Sequence, residues 1–385
     1  MQLTGDQIVA RASVSVREAD VAGQLTRALG PGPFALVLLL LSPEADLTGI
    51  AGAARSAWPM ARVVGCTTAG EITGAGYEEE TIVAIGFSSR HFLAETLLIP
   101  DLDRLSRNDI AADLLQIRQR LSSGQAALPY ECGLLLVDGL SVREDELAAA
   151  LAGGAGNMPL VGGSAGDGTR FERTFILHDG IAMRHAAVLC VLRSDCPVRA
   201  LNMDHLHPTG VRMVVTDADP SARIVRQING EPAAQEYARL LGRDLAMLDS
   251  FTFAAYPLAL RIGARHHVRA IQRMLPSGEL LFFSAIASGV VLSLTEAHDL
   301  VGHLSAGLER LRAPAEPVAV LAFDCILRRI EGREKQLTDK VSDVLRRHRV
   351  WGFSTYGEQI GPMHVNHTLT GCVFYPPGTR LEEEA

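Results

Sequence analysis

Three short segments of the chain combine glycine, hydroxyl and carboxylate side chains in the same order. They are VVGCTTAGEI at 63–72, LVGGSAGDGT at 160–169 and VWGFSTYGEQI at 350–360. In each of these glycine segments, glycine can take a positive φ or let another backbone approach closely, and the hydroxyls can satisfy freed N–H groups. One such segment is equally well explained as a turn. Three of them, each with a carboxylate, predict loops that face a ligand in one shared cavity.

The residues predicted to face the ligand are the glycines, hydroxyls and acids of the glycine segments, together with one cysteine. They are Gly65, Cys66, Thr67 and Glu71 in the first segment, Gly162, Ser164 and Asp167 in the second, and Gly352, Ser354, Thr355 and Glu358 in the third. Phosphate is a poor ligand for such loops, because no GxxxxGK[ST] motif occurs and each carboxylate would repel it. A cationic or zwitterionic ligand suits the carboxylates of Glu71 and Glu358.

Histidine supplies a second kind of candidate chemistry. Four histidines lie in two pairs, His205 and His207 in MDHLHPTG and His364 and His367 in MHVNHT. Most such histidines are surface or hydrogen-bonded residues. A zinc site is disfavoured, because neither pair has a nearby set of thiolates. A haem that is bound without a CxxCH motif would need an axial donor, which is usually histidine.

Cys66 and Cys325 follow predicted strand ends, where a thiolate could be exposed and reactive. A small buried apolar residue is the more common role of such a cysteine. The six cysteines form no CxxC or CxxCH motif, so the sequence carries no zinc-finger, thioredoxin-type or covalent haem-attachment signature. A cysteine-dependent enzyme is the weakest functional hypothesis, since no catalytic base is recognisable.

Each glycine segment occupies the same place in a repeated order of predicted elements. A run typical of a buried strand comes first, in FALVLLLLSPEAD, CGLLLVDGLSVRED and VAVLAFDCILRRI. A helical pattern follows, in LTGIAGAARSA, EDELAAALAGG and REKQLTDKVSDVLRRH. After the glycine segment comes another apolar strand, in TIVAIGF, AAVLCVL and TLTGCVFY. The order and length of these repeats predict crossover units with parallel strands.

A segment with a different pattern of predicted elements separates the second repeat from the third. It reads as two strands, a tight turn at Asn229-Gly230, a helix between Pro232 and Gly242, and then a meander of antiparallel strands. The predicted fold class is therefore α/β with mixed α+β character. Repeated strand-helix-strand units form a pseudo-symmetric, two-part body with an antiparallel insertion, and the boundary between the parts falls near residue 225.

Composition limits the partners and the location of the protein. The chain has 385 residues, which is longer than one ordinary core requires. Its formal net charge is −8, with 36 Lys and Arg, so nucleic acid is not an expected partner. The N-terminus lacks the layout of a signal peptide, and the most apolar run is too short to span a bilayer. We therefore expect a cytoplasmic protein with no membrane partner.

The glycine segments, together with LLLVDGLSVRED, FDCILRR and MHVNHT, resemble the FIST family, a two-part bacterial sensory module. The resemblance covers roughly residues 30–373. It implies an N-terminal segment over 1–29, a FIST N-like domain over 30–225, a FIST C-like domain over 226–375 and a polar tail over 376–385.

The same segments resemble in particular the haem-binding, nitric-oxide-sensing NosP group of this family. That resemblance implies a haem b cofactor with His205 or His364 as axial ligand, because these residues fall on the group's HFxPT-like and MHVNQT-like strings. His207, His367 and Cys325 are further candidates, and His367 stands where the group usually has Gln. It also implies that the protein acts on a separately encoded histidine kinase.

The leading hypothesis from the sequence is thus a haem-based nitric-oxide sensor that is not an enzyme. The alternative is a haem-free FIST sensor of a small metabolite such as an amino acid, bound by the hydroxyls and carboxylates of the glycine segments. The sequence leaves the oligomeric state open, including a homo-oligomer.

Overall fold

The computed structural model describes residues 7–123, 128–263 and 265–381. The predicted N-terminal segment and polar tail therefore lie partly outside the described residues. The first repeat and its flanking strands contain β1 (Val9–Ser15), α1 (Val21–Leu29), β2 (Phe34–Leu41), α2 (Leu47–Ala57), β3 (Arg62–Thr67), β4 (Glu71–Thr73), β5 (Gly76–Glu78), β6 (Thr81–Ser88) and β7 (Phe92–Ile99).

The second repeat has the same order of elements, and α3 precedes its first strand as α1 does in the first repeat. It contains α3 (Arg107–Ser122), β8 (Tyr130–Val137), α4 (Glu144–Ala155), β9 (Leu160–Ser164), β10 (Ile176–His178), β11 (Ile181–Met183), β12 (Ala187–Ser194) and β13 (Val198–Met203).

The insertion is mainly antiparallel. It contains β14 (Leu206–Asp219), β15 (Ile224–Ile228), β16 (Glu231–Pro232), α5 (Ala233–Leu241), α6 (Ser250–Ala255), β17 (Leu258–Ile262), β18 (Arg265–Arg269), β19 (Ile271–Met274), β20 (Leu280–Phe282), β21 (Val291–Ala297) and α7 (Leu300–Arg310). Its strands form one eight-stranded sheet in the order β18-β17-β21-β14-β15-β20-β19, with β16 on β15. The sheet curls around a separate apolar core that includes Val215, Tyr237 and Phe253.

The third repeat completes the body. It contains β22 (Ala319–Cys325), α8 (Ile326–Glu334), α9 (Thr338–Arg347), β23 (Val350–Thr355), β24 (Glu358–Ile360), β25 (Met363–Val365) and β26 (Leu369–Phe374). In every repeat the first strand pairs in parallel with the strand that carries the glycine segment: β2 with β3, β8 with β9 and β22 with β23. The predicted parallel crossover units are confirmed.

Each glycine segment leads into a short hairpin that joins the sheet of another repeat. Hairpin β4–β5 of the first repeat pairs with β23 of the third. Hairpin β10–β11 of the second pairs with β3 of the first, and hairpin β24–β25 of the third pairs with β9 of the second. This exchange is cyclic, so the three sheets form an interlocked body with approximate threefold symmetry. The mixed α/β class with a two-part, pseudo-symmetric body is confirmed.

The central strands are apolar on both faces because each sheet lies between two layers. Leu36, Leu38 and Leu40 of β2 face a core that is shared by all three sheets, while Val37 and Leu39 face α1 and α2. The first strands of the other two repeats divide their side chains in the same way between the shared core and their own helices. The continuous hydrophobic runs in the sequence follow from this double burial.

Two local expectations were wrong. The segment REKQLTDKVSDVLRRH predicted one helix, but α8 begins at Ile326, directly after β22, and Gln336 with φ of 56° separates it from α9. The segment ILRRI was assigned to the end of the preceding strand because so short a segment does not distinguish strand from helix. The first glycine of each segment was expected at a strand end, but Gly65, Gly162 and Gly352 lie within β3, β9 and β23.

Among the described residues, none of the helices is both long and apolar enough to cross a bilayer.

Candidate functional site

The glycine segments meet near the centre of the body and bind one another through their backbones. Each pair of segments is joined by at least one hydrogen bond: Ala69 N to Ser354 O at 2.8 Å, Gly166 N to Thr67 O at 3.0 Å and Ser164 N to Gly357 O at 2.8 Å. The side chains of Thr67, Ser164 and Ser354 are fully buried in this ring of segments. These hydroxyls therefore belong to the contact between repeats.

A cavity of about 300 Å³ opens beside this ring. Its walls come from the loop after β2, the β5–β6 turn, the first and second glycine segments, and one face of α8. The face of α8 presents Ile326, Arg329, Ile330 and Arg333, whose spacing of three and four places them in one stripe. The third glycine segment lies behind this wall, and Glu358 does not line the cavity.

The cavity has charges of both signs. Five carboxylates and three guanidinium groups line it: Glu44, Glu71, Glu79, Glu80 and Asp167, with Arg170, Arg329 and Arg333.

The guanidinium groups differ in how far they are engaged. Arg170 pairs with Glu44 at 2.6 Å, and Arg329 donates to the carbonyl of Glu78 at 2.7 Å. Arg333 is exposed, and its guanidinium has no hydrogen-bond or ion-pair partner among the described residues. Arg333 is therefore the cation at the rim that a ligand can reach without breaking an existing pair.

Glu71 is the carboxyl group that the cavity wall buries most deeply. Its oxygens accept hydrogen bonds from the hydroxyl of Thr68 and, at 3.3 Å, from the backbone N–H of Thr81. Burial raises the pKa of Glu71 to about 7, against the lowering effects of Thr68 and Arg329. A cationic ligand beside this group would favour its ionised form.

Asp167 plays a different part from Glu71. It accepts a hydrogen bond from the hydroxyl of Tyr356 and further bonds from the backbone N–H groups of Phe171, Glu172 and Arg173. Burial acts to raise the pKa of Asp167, but these hydrogen bonds outweigh it and lower the pKa. Asp167 is thus a fixed anion that holds the loop after the second glycine segment.

Glu358 repeats the local geometry of Glu71 in the third repeat. Thr355 donates to one oxygen and Thr368 to the other, as Thr68 and Thr81 do for Glu71. Glu358 is completely buried, and burial raises its pKa to about 8. The Thr-x-x-Glu pair therefore marks equivalent positions, and only the first of them reaches the cavity.

The raised pKa of Glu358 predicts a pH dependence of stability. Between the ordinary value of 4.5 and the folded value near 8, the unfolded chain releases this proton while the folded protein keeps it. Stability should then fall as pH rises through this window, by at most about 1.4 kcal/mol for each pH unit. We expect Glu358→Gln to flatten this fall, as measured by urea unfolding between pH 5 and 8.

Glu334→Gln, which changes an exposed carboxylate on α8, is the matched control and should leave the pH dependence of the wild type unchanged. Parallel curves for Glu358→Gln and the wild type would contradict a neutral, buried Glu358.

A buried polar network lies on the opposite face of α8 from the cavity. Arg328 donates from Nε to Asp324 Oδ1 at 2.7 Å and from Nη1 to His205 Nδ1 at 2.9 Å. His205 Nε2 and His367 Nε2 lie 2.9 and 3.0 Å from the same oxygen of Glu331. All five side chains are almost inaccessible to solvent. α8 thus connects the cavity on one face to a chain of buried charges on the other.

Family comparisons agree with this architecture. A family model described as the FIST N domain matches residues 35–231, and one described as the FIST C domain matches residues 233–361. The chain belongs to the FIST family. An uncharacterized protein of Methanocaldococcus jannaschii is 20% identical over 396 aligned positions, which cover 92% of this chain and 76% of that protein. FIST domains are sensory ligand-binding domains of signalling proteins, so the cavity and α8 are the features to relate to sensing.

The histidines that suggested haem lie in three separate places of this FIST protein. His205 and His367 belong to the network on α8, while His364 lies on β25, where its Nδ1 contacts the side-chain amide of Gln359 at 3.2 Å. His207 is exposed, and its ring packs at a tilt against the ring of His298, with 4.1 Å between the ring centroids.

Neither favoured axial ligand fits a haem in this arrangement. An axial histidine needs a ring nitrogen with a free lone pair that faces the iron. Both ring nitrogens of His205 are already engaged, by Arg328 and by Glu331. His364 Nε2 has no partner, but Nδ1 of this ring accepts a hydrogen bond from Gln359, so Nε2 carries the proton and offers iron no lone pair. Within the described residues that line the cavity there is no histidine at all.

His205, Glu331 and His367 also place three ligand atoms within 4.8 Å of one another, which is a spacing that suits a metal ion. The hydrogen bond between Arg328 and His205 argues against a metal ion here. Arg328 can only donate, so Nδ1 of His205 is an acceptor and the proton sits on Nε2, the atom that would have to bind the metal. A metal-binding histidine normally donates its second N–H to an acceptor, which is the reverse of this arrangement.

The two candidate cysteines are buried in the shared interior. Cys66 and Cys325 have no accessible surface, and burial raises the pKa of each thiol. A reactive cysteine has a lowered pKa and some exposure. Their environment is thus that of small apolar residues.

Sequence reasoning missed the arginines of the cavity and both the arginine and the carboxylate of α8 that hold the buried network. The missed residues are Arg170, Arg328, Arg329, Glu331 and Arg333. A signal for them existed in ILRRIEGREK, where charged residues recur at helical spacing on two opposite faces. The assignment of ILRRI to a strand concealed that pattern.

Proposed function

We propose that this FIST protein is a sensor that binds a small zwitterionic ligand, such as an amino acid, in the cavity beside α8. The observation that carries the proposal is a cavity at the junction of the three repeats, with the buried carboxyl groups of Glu71 and Asp167 on one wall and arginines on another. Its volume of about 300 Å³ lies at the lower end of the range for small-molecule sites.

The charges of the wall favour an ammonium group over an isolated anion. Five carboxylates outnumber three guanidinium groups. Glu44, Glu79 and Glu80 pair with Arg170, Arg329 and Arg17, which leaves Glu71 and Asp167 against Arg333. An ammonium group beside Glu71 would gain a charge-assisted hydrogen bond. The carboxylate of the same ligand would reach Arg333, which has no partner of its own among the described residues.

α8 supplies a route from ligand to signal. A ligand that contacts Arg329 and Arg333 acts on one face of the helix, and the other face is fixed by Arg328 and Glu331. Any shift of α8 would change distances within a fully buried network, which has few alternative arrangements. A ligand can select between two such arrangements only by its differential affinity for them.

The output of such a sensor is proposed to be a change in a partner protein. The resemblance to the NosP group suggests a separately encoded histidine kinase as that partner. Haem with nitric oxide stays a prediction from the same resemblance, although His205 and His364 do not present a free nitrogen to iron. An absorption spectrum of the purified protein is the measurement that separates the two ligands.

Binding of free amino acids is expected to raise the melting temperature of the purified protein. We expect the largest rise from amino acids that carry a second cationic group, because carboxylates prevail in the wall. Arg333→Glu should weaken binding about 10-fold or more, since it replaces one charge-assisted contact with repulsion. The measurement is thermal unfolding across a panel of amino acids, followed by calorimetric titration of those that act.

Arg347→Glu is the matched control, because Arg347 is likewise an exposed arginine in the last turn of a helix, α9, but does not line the cavity. It should keep wild-type affinity. A panel without any stabilising amino acid, or an equal loss in both variants, would refute the proposed site.

A further inference from the structure

Unpaired polar atoms concentrate at a second place, where the β24–β25 hairpin meets α4 and the insertion. Among the described residues, seven buried side-chain atoms have no hydrogen-bond partner. Three of them, on Gln359, His364 and Asn366, lie in or directly after this hairpin. Another belongs to Arg269 of β18, the strand that packs against β25. Buried polar groups are almost always paired, so such a concentration calls for a missing partner.

The hydrogen bonds that do exist show which of these atoms are donors. Gln359 donates from Nε2 to His364 Nδ1 at 3.2 Å, so the proton of the neutral His364 ring is on Nε2. Ser284 Oγ lies 2.6 Å from Asn366 Oδ1, which leaves the NH₂ of Asn366 free. A methyl group built on Gly357 would lie 2.8 Å from His364 Nε2 and 3.0 Å from Asn366 Nδ2. The two free donors therefore flank the same glycine.

Arg269 adds a positive charge to these donors. Its side chain is buried, and its one recorded hydrogen bond runs from Nη1 to the carbonyl of its neighbour Val268 at 3.1 Å. No described carboxylate lies within ion-pair distance of it, whereas the nearby Arg223 pairs with Glu144. Asp145 acts electrostatically on Arg269 but does not contact it, and the Nε–H of Arg269 has no acceptor. A charged acceptor would form the strongest hydrogen bond with this group.

We propose that His364, Asn366 and Arg269 form a binding site for a single carboxylate group of a small molecule, separate from the cavity beside α8. Three donors here have no acceptor: the Nε2–H of His364, the NH₂ of Asn366 and the Nε–H of Arg269. They outnumber the one free acceptor, the Oε1 of Gln359. A carboxylate supplies two acceptor oxygens, and its hydrogen bond to a guanidinium is charge-assisted. The elements that meet here come from the second repeat, the third repeat and the insertion, so an occupied site would join both parts of the body.

The charge of the neighbourhood selects the class of anion. Glu144 and Asp145, at the start of α4, both act electrostatically on His364, and Asp145 Oδ2 accepts from the backbone N–H of Ala285 at 3.3 Å. These carboxylates would repel a dianion such as a phosphate monoester. A monocarboxylate can accept from Arg269 with the smallest added negative charge.

Sodium acetate is the probe that tests this site, titrated into the full chain against sodium chloride at constant ionic strength. We expect a saturable rise in melting temperature of about 2–4 °C. We also expect the Nε2–H signal of His364 to shift in NMR spectra of protein labelled with ¹⁵N-histidine. His364→Phe, which keeps the ring shape, assigns that signal by its loss.

Two variants separate a binding role from a structural one. His364→Phe should abolish the acetate response while the melting temperature without acetate stays equal or rises, because an unpaired donor gives way to an apolar group. Arg269→Met should also abolish the response. Arg333→Glu, at the other cavity, should retain it, so that failure of this site and failure of the proposed amino-acid site are distinguishable.

An unchanged melting temperature and an unchanged histidine spectrum of the wild type in acetate would overturn the carboxylate site and assign the unpaired atoms to water. A response that survives in both His364→Phe and Arg269→Met would overturn it as well, since acetate would then act elsewhere. The spectrum of the wild type decides the matter even where a variant fails to fold.

Discussion

Replacing Arg328 with leucine is expected to lower the free energy of unfolding by about 3–5 kcal/mol. Arg328 is 1% exposed and pairs with Asp324, which has no exposure at all. Its removal would leave the Asp324 carboxylate buried without a cation and His205 Nδ1 without a donor. The loss measures the cost of those orphaned groups more than the worth of the pair itself. Urea unfolding followed by circular dichroism supplies the value.

An exposed pair of the same kind offers the control. Arg312 lies 2.8 Å from Glu316 at the same four-residue spacing, but the two side chains are 49% and 57% exposed. Arg312→Ala should therefore cost at most about 1 kcal/mol. The double variant that combines Arg328→Leu with Asp324→Leu removes both charges. It should recover part of the free energy of unfolding that Arg328→Leu loses. Equal losses for Arg328→Leu and Arg312→Ala would mean that the network on α8 contributes no more than a surface pair.

The same network shows why the sequence did not identify the roles of the histidines. His205 and His367 are 162 positions apart, yet both reach one oxygen of Glu331. Nothing near either histidine in the chain distinguishes a ring that binds a carboxylate from one that could bind iron. The deciding contact with Arg328 depends on how the insertion packs against α8, and that is a long-range property. The resemblance to a haem-binding group therefore supplied candidates but not their environment.

The repeats, in contrast, could be predicted because their signals are local. A strand that is buried on both faces must be apolar throughout, and β2, β8 and β22 carry such runs. The helices α2 and α4 follow from their own patterns. The exchange of hairpins among sheets could not be predicted, since a hairpin such as β4–β5 carries no sequence signal for which edge strand it will join. The exchange determines which glycine segments border the cavity.

The glycine segments show the same contrast between local signals and long-range packing within a single motif. The Thr-x-x-Glu pattern of Glu71 and Glu358 was visible in the sequence, and the structure places each carboxyl group beside the hydroxyl of its own threonine, Thr68 or Thr355. Their different exposure to the cavity arises from α8, which lies over the first segment. The sequence thus predicts the local geometry of an acid, and the packing of a distant helix decides whether that acid can meet a ligand.

Replacing Gly352 with alanine is expected to destabilise the protein by about 3 kcal/mol or more, by overpacking that side-chain rotation cannot relieve. Gly352 pairs with Ala322 in the parallel ladder of β22 and β23. A Cβ at this position would lie well inside van der Waals contact with the carbonyl oxygen of Ala322, which is backbone. Gly65 meets the carbonyl of Leu39 in the same way, so Gly65→Ala should show a loss of similar size.

Gly52→Ala provides the control with the opposite sign. Gly52 lies on the exposed side of α2, and a Cβ there would have no neighbour within 4 Å. The substitution should stabilise the protein by about 0.5–1 kcal/mol through the helix propensity of alanine.

If Gly352→Ala cost no more than a surface change, β22 and β23 could move apart freely. The ring of glycine segments would then be too loose to hold Glu71 and Asp167 at fixed positions in the cavity wall, and a ligand would have to assemble its own site. A large loss at Gly352 and Gly65 would instead mean that close backbone contact in each repeat holds the ring, and the cavity wall with it, before any ligand arrives.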